Sequence, residues 1–371
     1  MRKGFTLIEL LAVIVILAII AVITVLKIAD MISSSRMGGA EDSFYGTLKA
    51  AELGYTKALQ SKTDLKGDTC DLSKASGDKV TCTNGTVISF TGKVPEKGNL
   101  IISAGGTVSA KDITLNGYKC YGDLNSKSPC VKENVEVAHE FLLKSIVTTG
   151  DGLYLDSTEK NRYVYKGSSP NNIIKFNNAN WRILSVETDG TLKIILEDKL
   201  NHIAWNIDSS NEWSNSAAEK ALLNYYQALP AEYKDNTTAH IYNIGKLQAD
   251  KNFGLEKEVD IEKSRETLGN IGLITPSDYV KASNNLTCTS ASNSMIASYP
   301  CRDQNYLYKP DYSWMTMIAS NVEEYIWYIG VSGVYNNAKA SSVFWLRPVV
   351  YLKANTQLTG SGTSSNPYII N

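Results

Sequence analysis

The residue in the most unusual chemical setting is Glu9, an acid at the start of a long apolar run. Residues 10–26 contain no charged residue, proline or glycine, and an apolar helix of about 20 residues crosses a bilayer core. A carboxylate inside hydrocarbon costs about 3 kcal/mol or more, so an acid there predicts a functional role. Arg2 and Lys3 precede the run. Because positive flanks stay in the cytoplasm, the bulk of the chain is expected outside the cell.

The apolar run differs from that of a secretory signal peptide, which is shorter and is followed by a small-residue cleavage site. Here residues 18–21 (AIIA) lie inside the run without a turn-forming break. We therefore expect the helix over residues 5–26 to stay attached to the chain as a transmembrane segment. An uncleaved anchor is the simplest alternative, but it gives no reason for Glu9.

Residues 4–10, GFTLIEL, resemble the cleavage and methylation motif of type IV pilins and pseudopilins. The resemblance implies that a prepilin peptidase removes the leader, residues 1–4, by cutting between Gly4 and Phe5, and that it then methylates the amino group of Phe5. It also implies that the Glu9 carboxylate of one subunit pairs with the Phe5 ammonium of a neighbour, since each charge is expensive to bury alone. The membrane helix then becomes the filament core.

The six cysteines fall into three close pairs, which favours disulfides between sequence neighbours in an oxidising space outside the cytoplasm. The pairs are Cys70 with Cys82, Cys120 with Cys130, and Cys288 with Cys301. Free buried thiols are the alternative. No Cys-x-x-Cys spacing occurs and the chain has only three histidines, so we predict no metal site and no cofactor.

Length and composition set the broad class. The chain has 371 residues, which favours an anchor followed by two globular units. Its 37 basic and 38 acidic residues give a formal charge of −1, so a nucleic-acid partner is not expected. The 21 tyrosines and six tryptophans favour a β-rich body. The predicted fold class is α+β.

Residues 27–132 are predicted to form a pilin-like domain, in which an amphipathic helix to about residue 62 packs on a small antiparallel β-sheet. Apolar residues recur at spacings of four and three, the period of one helix face. They are Phe44, Leu48, Ala51, Tyr55 and Leu59. Gly38 and Gly39 follow three serines, so a kink or a melted stretch is expected there.

Residues 133–150 are predicted as a helix and linker, and residues 151–371 as a second, extracellular α+β domain with an antiparallel sheet. Asp189-Gly190 between two apolar runs signals a hairpin. Helices are expected at residues 217–229, capped near Ser214 or Ser216, and at 277–282 after Pro276. The early segment WRIL and the closing segment WLRPVVYL resemble C-type-lectin-like modules of bacterial surface proteins, which implies a binding surface on long loops.

Aromatic residues of the second domain are the candidates for a ligand surface, since they can stack on sugars or anchor a protein partner. They are Tyr306, Tyr308, Tyr312 and Trp314. Arg347, before Pro348, is interpreted as a structural ion-pair residue. A calcium site at residues 205–208 is set aside because the spacing departs from the lectin motif.

The favoured function is therefore that of a type IV pilin-like filament subunit whose distal domain binds a surface glycan or protein. Its partners are the prepilin peptidase, the membrane and other pilin subunits, and its location changes from the membrane to the cell surface. The alternative is a pseudopilin of a type II secretion or DNA-uptake machine. We predict no enzymatic activity, because three scattered histidines and no Ser, Asp or Cys motif provide no nucleophilic site.

Overall fold

The computed structural model describes residues 7–61, 65–127, 129–248, 255–285, 302–333 and 335–371, with side chains from residue 31 onward and without that of Tyr335. The chain folds into two compact units. Unit 1 is Met1–Leu124 with Ser128–Glu133, and unit 2 is Asn125–Lys127 with Asn134–Asn371. Within the part that the structure describes, no helix combines the length and hydropathy needed to cross a bilayer.

Unit 1 is built on one long helix, α1 (Leu7–Ser61), which continues through Gly38 and Gly39 without a melted stretch. The predicted apolar face is confirmed, since four of its residues are at most 1% exposed. These are Phe44, Leu48, Ala51 and Tyr55. Gly54 lets the helix approach the sheet closely, because a Cβ there would lie 2.6 Å from the Val87 carbonyl oxygen.

The strands of unit 1 form a five-stranded sheet and a separate hairpin. They are β1 (Asp68–Asp71), β2 (Lys79–Thr81), β3 (Val87–Ser89), β4 (Lys97–Ile102), β5 (Val108–Leu115), β6 (Tyr118–Asp123) and β7 (Cys130–Lys132), with a 3₁₀ turn at Leu72–Lys74. The sheet order is β1-β4-β5-β6-β7, all antiparallel, and β2 pairs with β3. This α+β arrangement agrees with the predicted class.

Two disulfides lie within unit 1. Cys70 of β1 is bonded to Cys82, and Cys120 of β6 to Cys130, its directly opposite partner on β7. The structure thus has the neighbour pairing that the spacing favours. The third predicted pair, Cys288 with Cys301, lies outside the described residues.

Unit 2 contains five further helices and sixteen further strands among its described residues. The helices are α2 (Ala138–Leu143), α3 (Ala217–Ala228), α4 (Ala231–Asp235), α5 (Leu255–Glu262) and α6 (Pro276–Lys281). The strands are β8 (Gly152–Leu155), β9 (Tyr163–Lys166), β10 (Ile173–Phe176), β11 (Ala179–Val186), β12 (Leu192–Leu196), β13 (His202–Ala204), β14 (Thr237–Thr238), β15 (His240–Asn243), β16 (Glu266–Gly269), β17 (Trp314–Ala319), β18 (Tyr325–Ile329), β19 (Tyr335–Lys339), β20 (Val343–Trp345), β21 (Val349–Leu352), β22 (Leu358–Thr359) and β23 (Tyr368–Ile370).

Most of these strands form two larger sheets. The nine-stranded sheet has the order β14-β21-β12-β11-β10-β23-β22, with β9 also on β11 and β8 on β9. The five-stranded sheet has the order β13-β20-β17-β18-β19, and β15 pairs with β16. An antiparallel sheet was predicted, and most strand pairs are antiparallel, but β10 runs parallel to β23 and β17 parallel to β20. Parallel neighbours need long crossover connections, which local sequence patterns do not reveal.

Several local elements of unit 2 follow the sequence signals. The Asp189-Gly190 turn joins β11 to β12, with Gly190 at φ 87°. Helix α3 begins after Ser216, whose side chain accepts a hydrogen bond from the Glu219 backbone N–H. Trp181, Trp205 and Trp314 are fully buried in one core, so the second unit is organised around its own hydrophobic cluster.

The Tyr55 hydroxyl ties α1 to the start of the sheet, because it accepts a hydrogen bond from the buried Gly67 N–H at 3.0 Å and donates to the Leu65 carbonyl at 3.1 Å. We expect Tyr55→Phe to lower the free energy of unfolding of unit 1 by about 1–3 kcal/mol, since it leaves a buried N–H without its acceptor. Urea unfolding and hydrogen exchange at the Gly67 amide measure this loss.

The matched control is Tyr118→Phe in the same unit. The Tyr118 hydroxyl donates a hydrogen bond to the Ser33 carbonyl at 3.2 Å. Removing this hydroxyl therefore leaves no N–H group without an acceptor. A loss from Tyr118→Phe as large as that from Tyr55→Phe, or unchanged exchange at Gly67, contradicts the assigned role of Tyr55.

Candidate functional site

The predicted processing and assembly residues stand at the N-terminus. Arg2, Lys3, Gly4 and Phe5 lie outside the described residues. Glu9 belongs to the helical backbone of α1, but its side chain is outside the described part. The cleavage point and the role of Glu9 therefore stay predictions.

The described part of α1 has exposed apolar side chains in addition to its buried face. Met31 is 71% exposed, Leu53 is 57% exposed, and Ile32 and Met37 are exposed as well. The sheet of unit 1 is already packed on the opposite set of residues, Phe44 among them. The helix can thus give apolar contacts to another molecule without giving up its own core.

The predicted aromatic ligand surface is mostly core. Trp314 is fully buried in β17, and Tyr306 and Tyr312 are less than 10% exposed. Only Tyr308 is half-buried, and its hydroxyl donates a hydrogen bond to the Val331 carbonyl at 2.9 Å. The prediction was wrong for Tyr306, Tyr312 and Trp314, because their rings are packed in the hydrophobic core of unit 2.

Arg347 is structural, but the predicted ion pair was wrong. The guanidinium is fully buried and donates to the carbonyls of Leu196 at 3.1 Å and Leu307 at 3.2 Å. It also lies over the Trp314 ring, with its central carbon 4.6 Å from the centroid. Among the described residues no carboxylate comes within ion-pair distance of it, so backbone oxygens and an indole face stabilise the charge.

Sequence reasoning missed a buried ionic network that joins strand β12, helix α6 and the ends of strands β8, β9 and β11 in unit 2. It contains three cations and three anions, which are Arg162, Lys193, Lys281, Asp156, Glu187 and Asp278. Arg162 binds Glu187 through two nitrogens, at 2.8 and 3.1 Å, and Asp156 at 2.6 Å. The members come from three separate segments of the chain, residues 156–162, 187–193 and 278–281, so no local pattern reveals the network.

The network is paired closely enough to keep its carboxylates ionised. Burial alone would raise the pKa of Glu187, but the guanidinium of Arg162 outweighs it and lowers the pKa to about 2. Burial likewise opposes ionisation of Asp156, whose pKa is held well below its usual range by Lys281 and Arg162. The cavity beside Arg162 and Asp278 measures about 10 Å³, which holds about one water. Among the described residues, this cavity therefore has space for about one water and nothing larger.

His240 extends the buried charges at β15. Its ring stacks on Tyr351 with centroids 3.8 Å apart, and Nε2 lies 3.5 Å from Oδ2 of Asp189. Burial would lower the pKa of His240, but the Asp189 carboxylate and the more distant Glu187 raise it above the usual value. Burial opposes the ionisation of Asp189, and His240 nevertheless lowers its pKa to about 2.

Residues 1–25 match a family model described as Prokaryotic N-terminal methylation motif. The chain carries a prepilin motif. This motif supports a protein of the general type IV pilin or pseudopilin kind, with prepilin peptidase processing and assembly with other pilin subunits as its general implication. No curated protein and no solved structure matches the chain.

The His240–Asp189 pair predicts a pH dependence for unit 2. Because the folded-state pKa of His240 is raised, its contribution is complete below about pH 6.5 and is lost as pH rises through the raised value. Asp189 contributes above about pH 4 and loses its effect as pH falls through about 2. We therefore expect His240→Gln to destabilise unit 2 more at pH 5.5 than at pH 9.

Tryptophan fluorescence during urea unfolding measures this difference, because all six tryptophans belong to unit 2. His202→Gln is the matched control, since His202 is exposed and stacks on Trp345 with no carboxylate partner in the described part. It should change stability equally at both pH values. A loss from His240→Gln that does not depend on pH would rule out the pairing.

Proposed function

We propose that the chain is a type IV pilin-like filament subunit, cut between Gly4 and Phe5, methylated on Phe5 and assembled through α1, with a ligand-binding role for unit 2. The observation that carries the proposal is the methylation motif over residues 1–25, in which Glu9 precedes an apolar run. The apolar run that follows this carboxylate contains no cation to pair with it.

Assembly follows from the cost of burying charge. Cleavage leaves a methylated ammonium on Phe5, and four residues later the Glu9 carboxylate stands in an apolar helix. Each charge is costly in hydrocarbon, so subunits that place the Glu9 of one chain beside the Phe5 of another remove two penalties at once. The pairing has one geometry along the helix axis, and it would therefore determine the axial register of the filament.

Unit 1 provides support for this assignment. Its disulfides Cys70–Cys82 and Cys120–Cys130 suit an oxidising environment outside the cytoplasm. The apolar side chains that α1 exposes, such as Met31 and Leu53, are available to neighbouring subunits. In a filament these contacts would add close packing to the charge pairing.

Unit 2 is the proposed ligand-binding module, and its early and closing segments motivate a C-type-lectin-like interpretation. A second unit of this size crowds a densely packed shaft, which favours a minor or tip-proximal subunit. We propose a binding role and no catalysis, because the densest set of titratable groups among the described residues surrounds a cavity of about 10 Å³. A pseudopilin role is the alternative, since the methylation motif is common to both kinds.

Processing is tested first at the scissile bond. We expect Gly4→Arg to block cleavage, because a long side chain hinders close approach of the peptidase to the backbone. Mass spectrometry of the purified chain should then find residues 1–4 still attached and no methyl group on Phe5. The control is Gly46→Arg, at an exposed position of α1 with open space around it, which should be processed normally. Normal cleavage of Gly4→Arg would contradict the assigned site.

Assembly is tested with Glu9→Val. The variant should insert into the membrane and be cleaved, but its amount in sheared filaments should fall at least about tenfold, because the Phe5 ammonium loses its partner. Glu52→Val, a change of the same type on the described part of α1, should leave incorporation unchanged. Wild-type amounts of Glu9→Val in filaments overturn the assembly mechanism, and abundance relative to other subunits separates a shaft pilin from a minor subunit or pseudopilin.

A further inference from the structure

The surface of unit 2 contains a groove of about 470 Å³, within the range of about 300–1,000 Å³ that is usual for small-molecule sites. Three segments far apart in sequence line it. They are the β10–β11 turn with Asn177 and Asn178, helix α4 with Glu232 and Tyr233, and the closing strand β23 with Ile369 and Ile370. Lys175 of β10 stands beside Ile369 in the parallel pair of strands.

The walls of the groove are held in place by the fold. Asn177 and Asn178 have φ values of 48° and 58° between directly joined strands, the conformation of a two-residue hairpin turn. The Tyr233 ring lies edge-on against the buried Phe176, with centroids 5.2 Å apart. The site is therefore largely formed before any ligand arrives.

Three polar side chains of the groove remain available to a ligand. Within the described part of the chain, Lys175, Asn178 and Glu232 make no side-chain hydrogen bond or ion pair, and all three are exposed. Lys175 has N–H donors, Glu232 has acceptors, and the Asn178 amide has both. Tyr233 and the isoleucines of β23 add apolar surface between them.

We propose that this groove binds a short neutral oligosaccharide. Sugar hydroxyls donate and accept hydrogen bonds, which matches a site with both kinds of group, and the C–H face of a sugar ring packs on a tyrosine or an isoleucine. The single positive charge of Lys175 and the single negative charge of Glu232 balance each other, which disfavours a strongly charged ligand.

An extended peptide fits the groove less well. Peptides that add to a sheet need a free strand edge. Here β10 is bonded to β11 and β23, and β23 is bonded to β10 and β22, so neither has an open edge. The ligand must therefore be recognised by side chains, as a saccharide is.

This inference rests on the proposed function only for the location of unit 2 outside the cell, and binding and assembly are measured separately. The full chain, purified in detergent, is applied to an immobilised array of neutral glycans that end in galactose, glucose or N-acetylglucosamine. We expect at least one glycan to be retained. Asn178→Gly keeps the turn, because glycine adopts a positive φ without strain, and it removes the amide. Glu232→Gln removes the charge.

Asn178→Gly should weaken binding of the retained glycan about tenfold or more, the effect of losing one well-placed hydrogen bond. Glu232→Gln should also weaken it, because a neutral amide oxygen accepts a hydrogen bond from a sugar hydroxyl less strongly than a carboxylate does. The matched controls are Asn161→Gly, at an exposed residue with φ 61°, and Glu256→Gln, at an exposed position of α5. Both should bind as the unmodified chain does. An array on which no glycan is retained above background overturns the proposal, and so does binding that Asn178→Gly and Glu232→Gln leave unchanged.

The two proposals fail in different experiments. If the unmodified chain binds no glycan but is incorporated normally into filaments, only the groove proposal is contradicted. Normal incorporation of Glu9→Val, with glycan binding intact, removes only the assembly mechanism.

Discussion

A carboxylate that leaves water and stays ionised needs a positive charge or hydrogen-bond donors close by, and this requirement applies in both parts of the chain. In unit 2 it is met within the fold, where Arg162 binds Glu187 and Asp156 at hydrogen-bonding distance. At the N-terminus the sequence places Glu9 against an apolar run and supplies no cation beside it within that run. In unit 2 the cost of burying a carboxylate is offset within the fold. In our proposal, the same cost at Glu9 is offset by the Phe5 ammonium of a second subunit.

The sequence predicted the elements whose signals are local. The buried face of α1 follows from the helical spacing of Phe44, Leu48 and Ala51, and the β11–β12 hairpin from Asp189-Gly190. The disulfide partners of unit 1 are close in the chain, with separations of 12 and 10 residues. In each case the residues that decide the structure lie at most 12 positions apart in the chain.

Features made by distant segments could not be predicted in this way. Lys281 and Asp156 are 125 residues apart, and Arg162 and Asp278 are 116 apart, yet they share one network. The aromatic residues near position 310 were predicted as a ligand surface because such rings can stack on sugars or anchor a partner, but Tyr306, Tyr312 and Trp314 are buried. Alternation between polar and apolar residues predicts which face is exposed only when one face meets water. The groove has the same origin, since its three segments meet only in the folded unit.

The two hydrophobic cores are built from different residues, so each unit can change without altering the core of the other. The core of unit 1 contains residues of α1 and of the sheet from β1 to β7, and the core of unit 2 contains residues from Ala138 onward, with none in common. Substitutions at distant, independent sites add in their effects on stability. Changes at Asn178 or Glu232 therefore alter a surface of unit 2 without disturbing the packing of α1 on its sheet. In our proposal, this independence would let the ligand surface of unit 2 vary while the residues that assembly requires stay constant.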